Sequence, residues 1–375
     1  MIIVFLFIAL IYSVLIIGFF VGFQKLKTIK KTDLPPKTTF SVVVPFRNET
    51  ANLPQLLNSF EQLNYPTHLF EILFVNDASE DNSCVVIENF QQQFPHIKTN
   101  LLQNNRTTNS PKKDAINTAI SSSKFEWIVT TDADCIVSIY WLQLFNQFIE
   151  AKNPVLIAAP VIFKKQNSLL FHFQNLNFIS LMGSTIGSFG IKKSFMCNGA
   201  NLCYQKTAFK NVNGFEGNTS IASGDDVFLL EKMVKNYPEQ VLFLKSAEAT
   251  VTTNSEKNWS LYLNQQIRWA SKSTAYNSNF SKFVGIVVLS TNLLVLSLFI
   301  SAILNPFFWK YFLVIFIQKT IVDFILIKKT SDFLINNNSL KYFLLVAFLY
   351  PFFITYVGIS STFKSYTWKG RVFKK

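Results

Sequence analysis

Long stretches that are apolar throughout sit at both ends of the chain, and a middle with regular apolar periods lies between them. Residues 2–22 run without a charge and reach the roughly 20 residues a helix needs to cross a bilayer core. No small-residue cleavage pattern follows, so the run reads as a retained anchor rather than a signal peptide. Three further apolar runs lie near 283–304, 306–327 and 340–360. The first is uninterrupted. Lys319 and Asp323 break the second, which places it at the interface or inside a helix bundle.

Between the ends, short apolar runs alternate with segments of helical period. Strands are predicted at 40–44, 70–75, 97–102, 127–131 and 155–160, and helices at 52–63, 82–93, 112–121 and 139–150. Pro54 suits the first turn of its helix. Such βαβ alternation predicts an α/β domain with a mostly parallel, Rossmann-like sheet. In sheets of this kind ligands bind off the carboxyl ends of the strands. A Pro-rich connector, 32–39, precedes the first strand. The expected organisation is an anchor (1–24), a central α/β domain (32–280), a membrane region of two or three helices (281–362) and a basic tail (363–375).

The formal net charge is +13, yet its distribution argues against nucleic acid. Lys25, Lys27, Lys30 and Lys31 follow the 2–22 run, and Lys328 and Lys329 follow the 306–327 run. This is the positive-inside pattern, which puts the central domain in the cytoplasm at an inner or plasma membrane, with anionic lipid as the simplest partner of the charges. The tail residues Lys364, Lys369, Arg371, Lys374 and Lys375 are then expected on the same side. Four complete spans would put them on the other, so one C-terminal segment is expected not to cross. The four cysteines form no CxxC pair and read as reduced structural thiols. With three histidines in all, a metal site would be built from carboxylates.

Four motifs carry candidate chemistry, each with a plainer alternative. Asp77 follows the strand at 70–75, where a carboxylate can accept from a nucleotide base or simply close an Asx-turn. Asp132 and Asp134 follow the strand at 127–131. Two carboxylates one residue apart can converge on one hard cation and leave its other positions to diphosphate oxygens, though a surface loop gives the same pattern. Asp226, in Gly224-Asp225-Asp226, opens a helix. It suits a general base, because the first turn favours negative charge, and it equally suits a cap. Gln265, Arg268 and Trp269 share one helical face. An amide, a guanidinium and an indole there fit a diphosphate and a sugar ring, and also fit an interfacial helix. Residues 196–204 read as a tight turn around Gly199, either an ordinary loop or a close approach to ligand.

Taken in order, SVVVPFRNE (41–49), VNDASED (75–81), TDAD (131–134), GDD (224–226) and QQIRW (265–269) resemble the family 2 inverting glycosyltransferases of GT-A fold. That order recurs in membrane synthases of cellulose, chitin and hyaluronan and in ceramide glucosyltransferases. The resemblance implies a membrane-anchored enzyme that moves a sugar from a nucleotide-sugar, a UDP-sugar by preference, to a lipid or glycan acceptor of the cell envelope or an exopolysaccharide. It implies that Pro45, Glu49 and Asp77 line the nucleotide pocket and that Asp134 ligates Mg2+ or Mn2+, with Asp132 at the metal and donor phosphates. Asp226 is then the base, and Gln265, Arg268 and Trp269 take the diphosphate and acceptor. Lys113 resembles the family's Gly-Lys segment near the donor, with Pro111 in place of the glycine. A processive polysaccharide synthase and a catalytically silent nucleotide-sugar-binding scaffold are the alternatives. Too few helices are predicted to enclose a transport path.

Overall fold

In the computed structural model, residues 2–221, 223–363, 365–368 and 371–373 are described. Of the basic tail, Lys364, Lys369, Lys374 and Lys375 lie outside the described residues. The chain opens with helix α1 (Ile2–Lys25) and continues β1 (Phe40–Phe46), α2 (Leu53–Glu61), β2 (Phe70–Asn76), α3 (Ser83–Gln93), β3 (Thr99–Gln103), α4 (Pro111–Ser122), β4 (Trp127–Thr130) and α5 (Trp141–Lys152). Then come β5 (Leu156–Ala158), β6 (Val161–Phe163), α6 (Leu169–Gly190), β7 (Leu202–Gln205), α7 (Lys206–Asn211), α8 (Asp225–Asn236), β8 (Val241–Phe243) and β9 (Val251–Thr253). Helices α9 (Trp259–Ser271), α10 (Asn279–Leu304), α11 (Trp309–Phe333) and α12 (Phe343–Phe363) follow, with a terminal hairpin of β10 (Tyr366–Trp368) and β11 (Arg371–Phe373).

The chain divides into two compact units. One comprises Lys27–Lys164 and Met196–Asn254 and is built on a seven-stranded sheet of order β3-β2-β1-β4-β7-β5-β8. β1 pairs in parallel with β2 and β4, with Phe40 opposite Phe70 and Trp127. β2 is buried along its whole length, and β1 along all of it except Pro45. A central parallel strand is covered on both faces and so reads as an unbroken apolar run. Each fully buried Val or Phe there contributes about 1.5–3 kcal/mol. Glu71 is 2% exposed within β2. It is satisfied by the Ser41 hydroxyl (2.7 Å) and the Lys124 N–H (2.6 Å). Pro45 does not close its strand: it pairs with Val75, and the ladder runs on to Phe46. β7 lies antiparallel to both β4 and β5, and β6 and β9 form a separate parallel pair.

The other unit gathers α1, α6 and the chain from Ser255 onward. Helix α6 is invisible to a search for simple periods, because His172, Gln174, Asn175, Asn177 and Thr185 interrupt its apolar residues. Those polar groups are buried and bonded within the unit rather than facing water. α1 and α6 meet through glycines. A Cβ on Gly22 would stand 2.0 Å from the Gly187 carbonyl oxygen, and one on Gly187 would stand 2.2 Å from that of Phe19. Small residues let two backbones approach this closely. Three helical stretches, Ile2–Lys25, Asn279–Leu304 and Leu340–Phe363, are long and apolar enough to cross a membrane.

The two charges that break the 306–327 run turn inward, which supports the bundle reading. Lys319 is 5% exposed. Its ammonium lies 2.6 Å from Asp323 Oδ2, and the Tyr12 hydroxyl donates to Asp323 Oδ1 at 2.6 Å. Gln318 reaches the Ser13 hydroxyl at 2.9 Å. The outer face of α11 carries exposed Leu313, Val314, Ile317, Ile321 and Ile325.

The glycine contact gives a test. Gly187→Ala forces α1 and α6 apart, an overpacking cost of about 1–3 kcal/mol. Gly18 has nothing within 4 Å of its would-be Cβ, so Gly18→Ala should be silent. Thermal unfolding in detergent should show a lower midpoint for the first variant alone.

Candidate active site

Of the candidate residues of the sheet-based unit, Pro45 lies in β1 and Lys113 in α4, and the others sit just past the carboxyl ends of β1, β2 and β4 or at the start of α8. Behind β1 and β2 the chain makes two left-handed turns on non-glycine residues, Asn48 (φ 53) and Ala78 (φ 55). Strain of this kind persists only where surrounding bonds hold it. Here Arg47 donates to the Asp77 carbonyl oxygen at 2.9 Å and to that of Ala78 at 2.5 Å, and pairs with Glu80 at 2.9 Å. Glu49 is buried; its N–H donates to the Ser83 hydroxyl at 2.8 Å, and its carboxylate accepts from Asn52 Nδ2 at 2.6 Å. Pro45 is half-buried in β1 beside this loop.

Asp77 is 7% exposed, too buried for a simple surface turn. Its Oδ1 accepts from Asn104 Nδ2 at 2.7 Å and from Arg106 Nε at 2.5 Å, and Arg106 also donates to the Asp77 carbonyl oxygen at 2.9 Å. Both partners come from the segment after β3, which carries no recognisable motif, so neither was legible in the sequence.

The acidic motifs after β4 and before α8 meet through one lysine. Lys112 Nζ lies 2.7 Å from Asp132 Oδ1 and 3.3 Å from Asp225 Oδ2. Burial works against its charge, but the carboxylates of Asp132, Asp225 and Asp226 outweigh that and hold the ammonium well above the ordinary lysine range. Asp226 accepts from the Val227 N–H at 2.8 Å through Oδ1 and from the Gly199 N–H at 3.2 Å through Oδ2. Gly199 is a close approach: a Cβ there would stand 3.1 Å from Asp225 Oδ2 and 3.7 Å from Lys112 Nζ. Asp134 Oδ2 accepts from the Thr253 hydroxyl at 3.0 Å.

Adjacent residues on a helix point about 100° apart, and the two lysines of α4 divide accordingly. Lys113 turns away from the carboxylates. It is fully buried, and its ammonium donates to the carbonyl oxygens of Asn218 (2.7 Å) and Ile221 (2.9 Å), tying down the loop that leads into Gly224. Lys112, which the sequence did not single out, is the one that faces Asp132.

A hard divalent cation fits this donor set. Among the described residues no three His, Cys, Asp or Glu side chains are grouped to hold a metal alone. Asp132 and Asp134 supply the one or two carboxylates that Mg2+ or Mn2+ takes from a protein when diphosphate oxygens complete its shell. Burial first, then the charges of Asp134 and Asp132, push the Cys135 thiol well above the ordinary range.

Gln265, Arg268 and Trp269 lie on α9, in the helical unit. Asn258 caps that helix by accepting from the Leu261 N–H at 2.9 Å. Gln265 donates to Glu256 Oε1 at 2.9 Å, and Glu256 is in turn bonded through its backbone to Gln174. Asn177 of α6 donates to the Tyr262 hydroxyl (2.8 Å) and Gln266 Oε1 (3.2 Å), and the Trp269 ring lies 6.5 Å from that of Phe178.

With this geometry in hand, comparison with known proteins decides the family. The chain matches glycosyl transferase family 21 over residues 2–374. It belongs to that family. Its fold resembles that of the mannosyltransferase PcManGT from Pyrobaculum calidifontis, solved with GDP-Man and Mn2+, at a TM-score of 0.55 and 16% identity over 95% of this chain and 98% of that one. This supports the GT-A architecture. The probable glycosyltransferase YdaM of Bacillus subtilis is 24% identical over 61% of this chain and 54% of its own. A poly-beta-1,6-N-acetyl-D-glucosamine synthase of Staphylococcus epidermidis is 27% identical over 44% of this chain and 39% of its own. The chain thus spans about half or less of these curated relatives.

The division of labour between the lysines is testable. Lys113→Met leaves two loop carbonyls without their donor and should cost about 1–3 kcal/mol of stability, read as a lower thermal midpoint. Gly199→Ala should leave the midpoint in place and lower turnover by pressing on Asp225 and Asp226.

Proposed function

We propose that this glycosyltransferase moves a sugar from a UDP-sugar to a lipid or glycan acceptor by a single inverting displacement at a membrane surface. The observation that carries the reading is the single ammonium of Lys112 shared between the Asp-Ala-Asp and Gly-Asp-Asp motifs. In this reading Asp77, with Pro45 and Glu49 beside it, receives the uracil ring, and Arg106 sets the direction of its carboxylate. Lys112, rather than Lys113, serves the donor diphosphate. Asp132 and Asp134 would hold Mg2+ or Mn2+, whose chemistry is to neutralise charge on the departing diphosphate.

Asp226 removes the acceptor hydroxyl proton. The freed oxygen forms its bond to the anomeric carbon as the bond to the diphosphate oxygen breaks, so the configuration inverts. Two backbone N–H groups fix the Asp226 carboxylate, which pre-organises a base at no cost during reaction. Arg268 and Gln265 are assigned to the leaving diphosphate and Trp269 to the acceptor. The lysines flanking the apolar helices support a cytoplasmic catalytic unit.

Purified full-length protein in detergent, screened against UDP-sugars, tests this. One donor should release UDP with Mn2+ or Mg2+, and chelation should abolish the release. Asp226→Asn should lower turnover at least about 10²-fold and leave donor affinity nearly unchanged. Substantial turnover in that variant removes Asp226 as the base. Binding without turnover for every donor and acceptor favours a silent scaffold. Product length separates single transfer from chain synthesis.

A further inference from the structure

The helical unit holds a polar cavity of about 380 Å3 where α6 begins and where α11 gives way to α12. Gln166, Asn167, His172, Asn337, Asn338 and Lys341 line it. None of these belongs to a transferase motif. Four are amides and one is a lysine, and among the described residues no carboxylate lines the space. Lys341 is exposed and makes no ion pair among the described residues. The lining therefore suits an anion with several acceptor oxygens rather than a cation.

His172 supplies the second observation. It is 3% exposed, and Tyr342 stacks on its ring with centroids 4.2 Å apart, which fixes the ring plane. Asn175 Nδ2 donates to the Ser339 hydroxyl oxygen at 2.8 Å, and that oxygen is 3.0 Å from His172 Nδ1. That contact serves either tautomer, and in the one where Nδ1 accepts the hydroxyl proton the neutral ring carries its proton on Nε2. Burial, reinforced by the nearby charge of Lys341, lowers the affinity of this ring for a second proton. Among the described residues His172 Nε2 has no hydrogen-bond partner. A buried N–H without an acceptor is costly, and a bound oxygen would recover that cost.

Apolar residues adjoin this polar lining in sequence. Ile335 is 74% exposed and Leu344 is 71% exposed, one on each side of the loop. Leu340 and Tyr342 pack against the cluster of Ile327, Phe343 and Val346. A polar anion site bordered by exposed apolar side chains matches a head group with acyl chains attached. We infer that this cavity binds a phosphate group, carried by an anionic lipid, through Lys341, the amides of Asn337 and Asn338, and the Nε2–H of His172.

The test uses full-length protein in neutral detergent, titrated with dioleoylphosphatidylglycerol in mixed micelles and read by native mass spectrometry. Lys341→Gln and Asn338→Asp alter exposed side chains and should fold normally. Each should weaken lipid binding about five- to tenfold, while Lys310→Gln, at the other end of α11, should not. Inorganic phosphate is titrated alone in parallel. Phosphate binding that is lost in the two variants, without lipid binding, keeps the site and makes free phosphate its source. Equal lipid binding by wild type and both variants, with no phosphate bound, overturns the inference.

Discussion

Two acidic motifs brought from distant parts of a chain repel one another unless a counter-charge lies between them. Here that charge is the ammonium of Lys112, within salt-bridge distance of both Asp132 and Asp225. The surroundings are arranged around it. The parallel strands β1, β2 and β4 bring their carboxyl ends to one edge, α4 presents Lys112 there, and Gly199 gives the space a side chain would fill. Lys113 keeps the approach to α8 fixed from the other side of the same helix. A diphosphate carrying its own negative charge needs such a cation before it can approach two aspartates.

The helical unit answers a different constraint. In an apolar surrounding polar groups need internal partners, and α1, α6 and α11 supply many of them through tight pairs. Asp323 is met by both Lys319 and Tyr12, and the amides of Asn175 and Asn336 bond to each other. Among the described residues His172 Nε2 is one of several buried polar atoms of this unit without a partner, together with Asn177 Oδ1, Asn292 Oδ1 and Thr355 Oγ1. Glu256 and Asn177 brace α9 from neighbouring turns, so the helix bearing Gln265, Arg268 and Trp269 is held by side chains that no motif includes.

Much of the first half of the sheet-based unit was legible in the sequence because its physics is local. Strands buried on both faces, such as Phe70–Asn76, read as continuous apolar runs, and the helices between them carry the right period. The aspartates stood out because they follow those strands directly. What escaped depends on distant contacts. β7 is four residues long and owes its place to antiparallel pairing with β4 and β5. α6 hides its character because its polar groups find partners in α9 and the 336–339 loop. Two neighbouring lysines are equivalent in a string, and only the turn of α4 tells Lys112 from Lys113. Arg106 has no signature apart from its contact with Asp77.

The central claim is that the Lys112 ammonium, shared by the two acidic motifs, is needed for nucleotide-sugar turnover. The most direct measurement compares UDP-sugar turnover by Lys112→Gln and Lys112→Arg, with thermal midpoints recorded to confirm folding. Loss of the charge in Lys112→Gln should lower turnover at least about 10²-fold, and Lys112→Arg, which keeps it, should recover a measurable part. A folded Lys112→Gln protein that turns over donor at the wild-type rate would contradict the account.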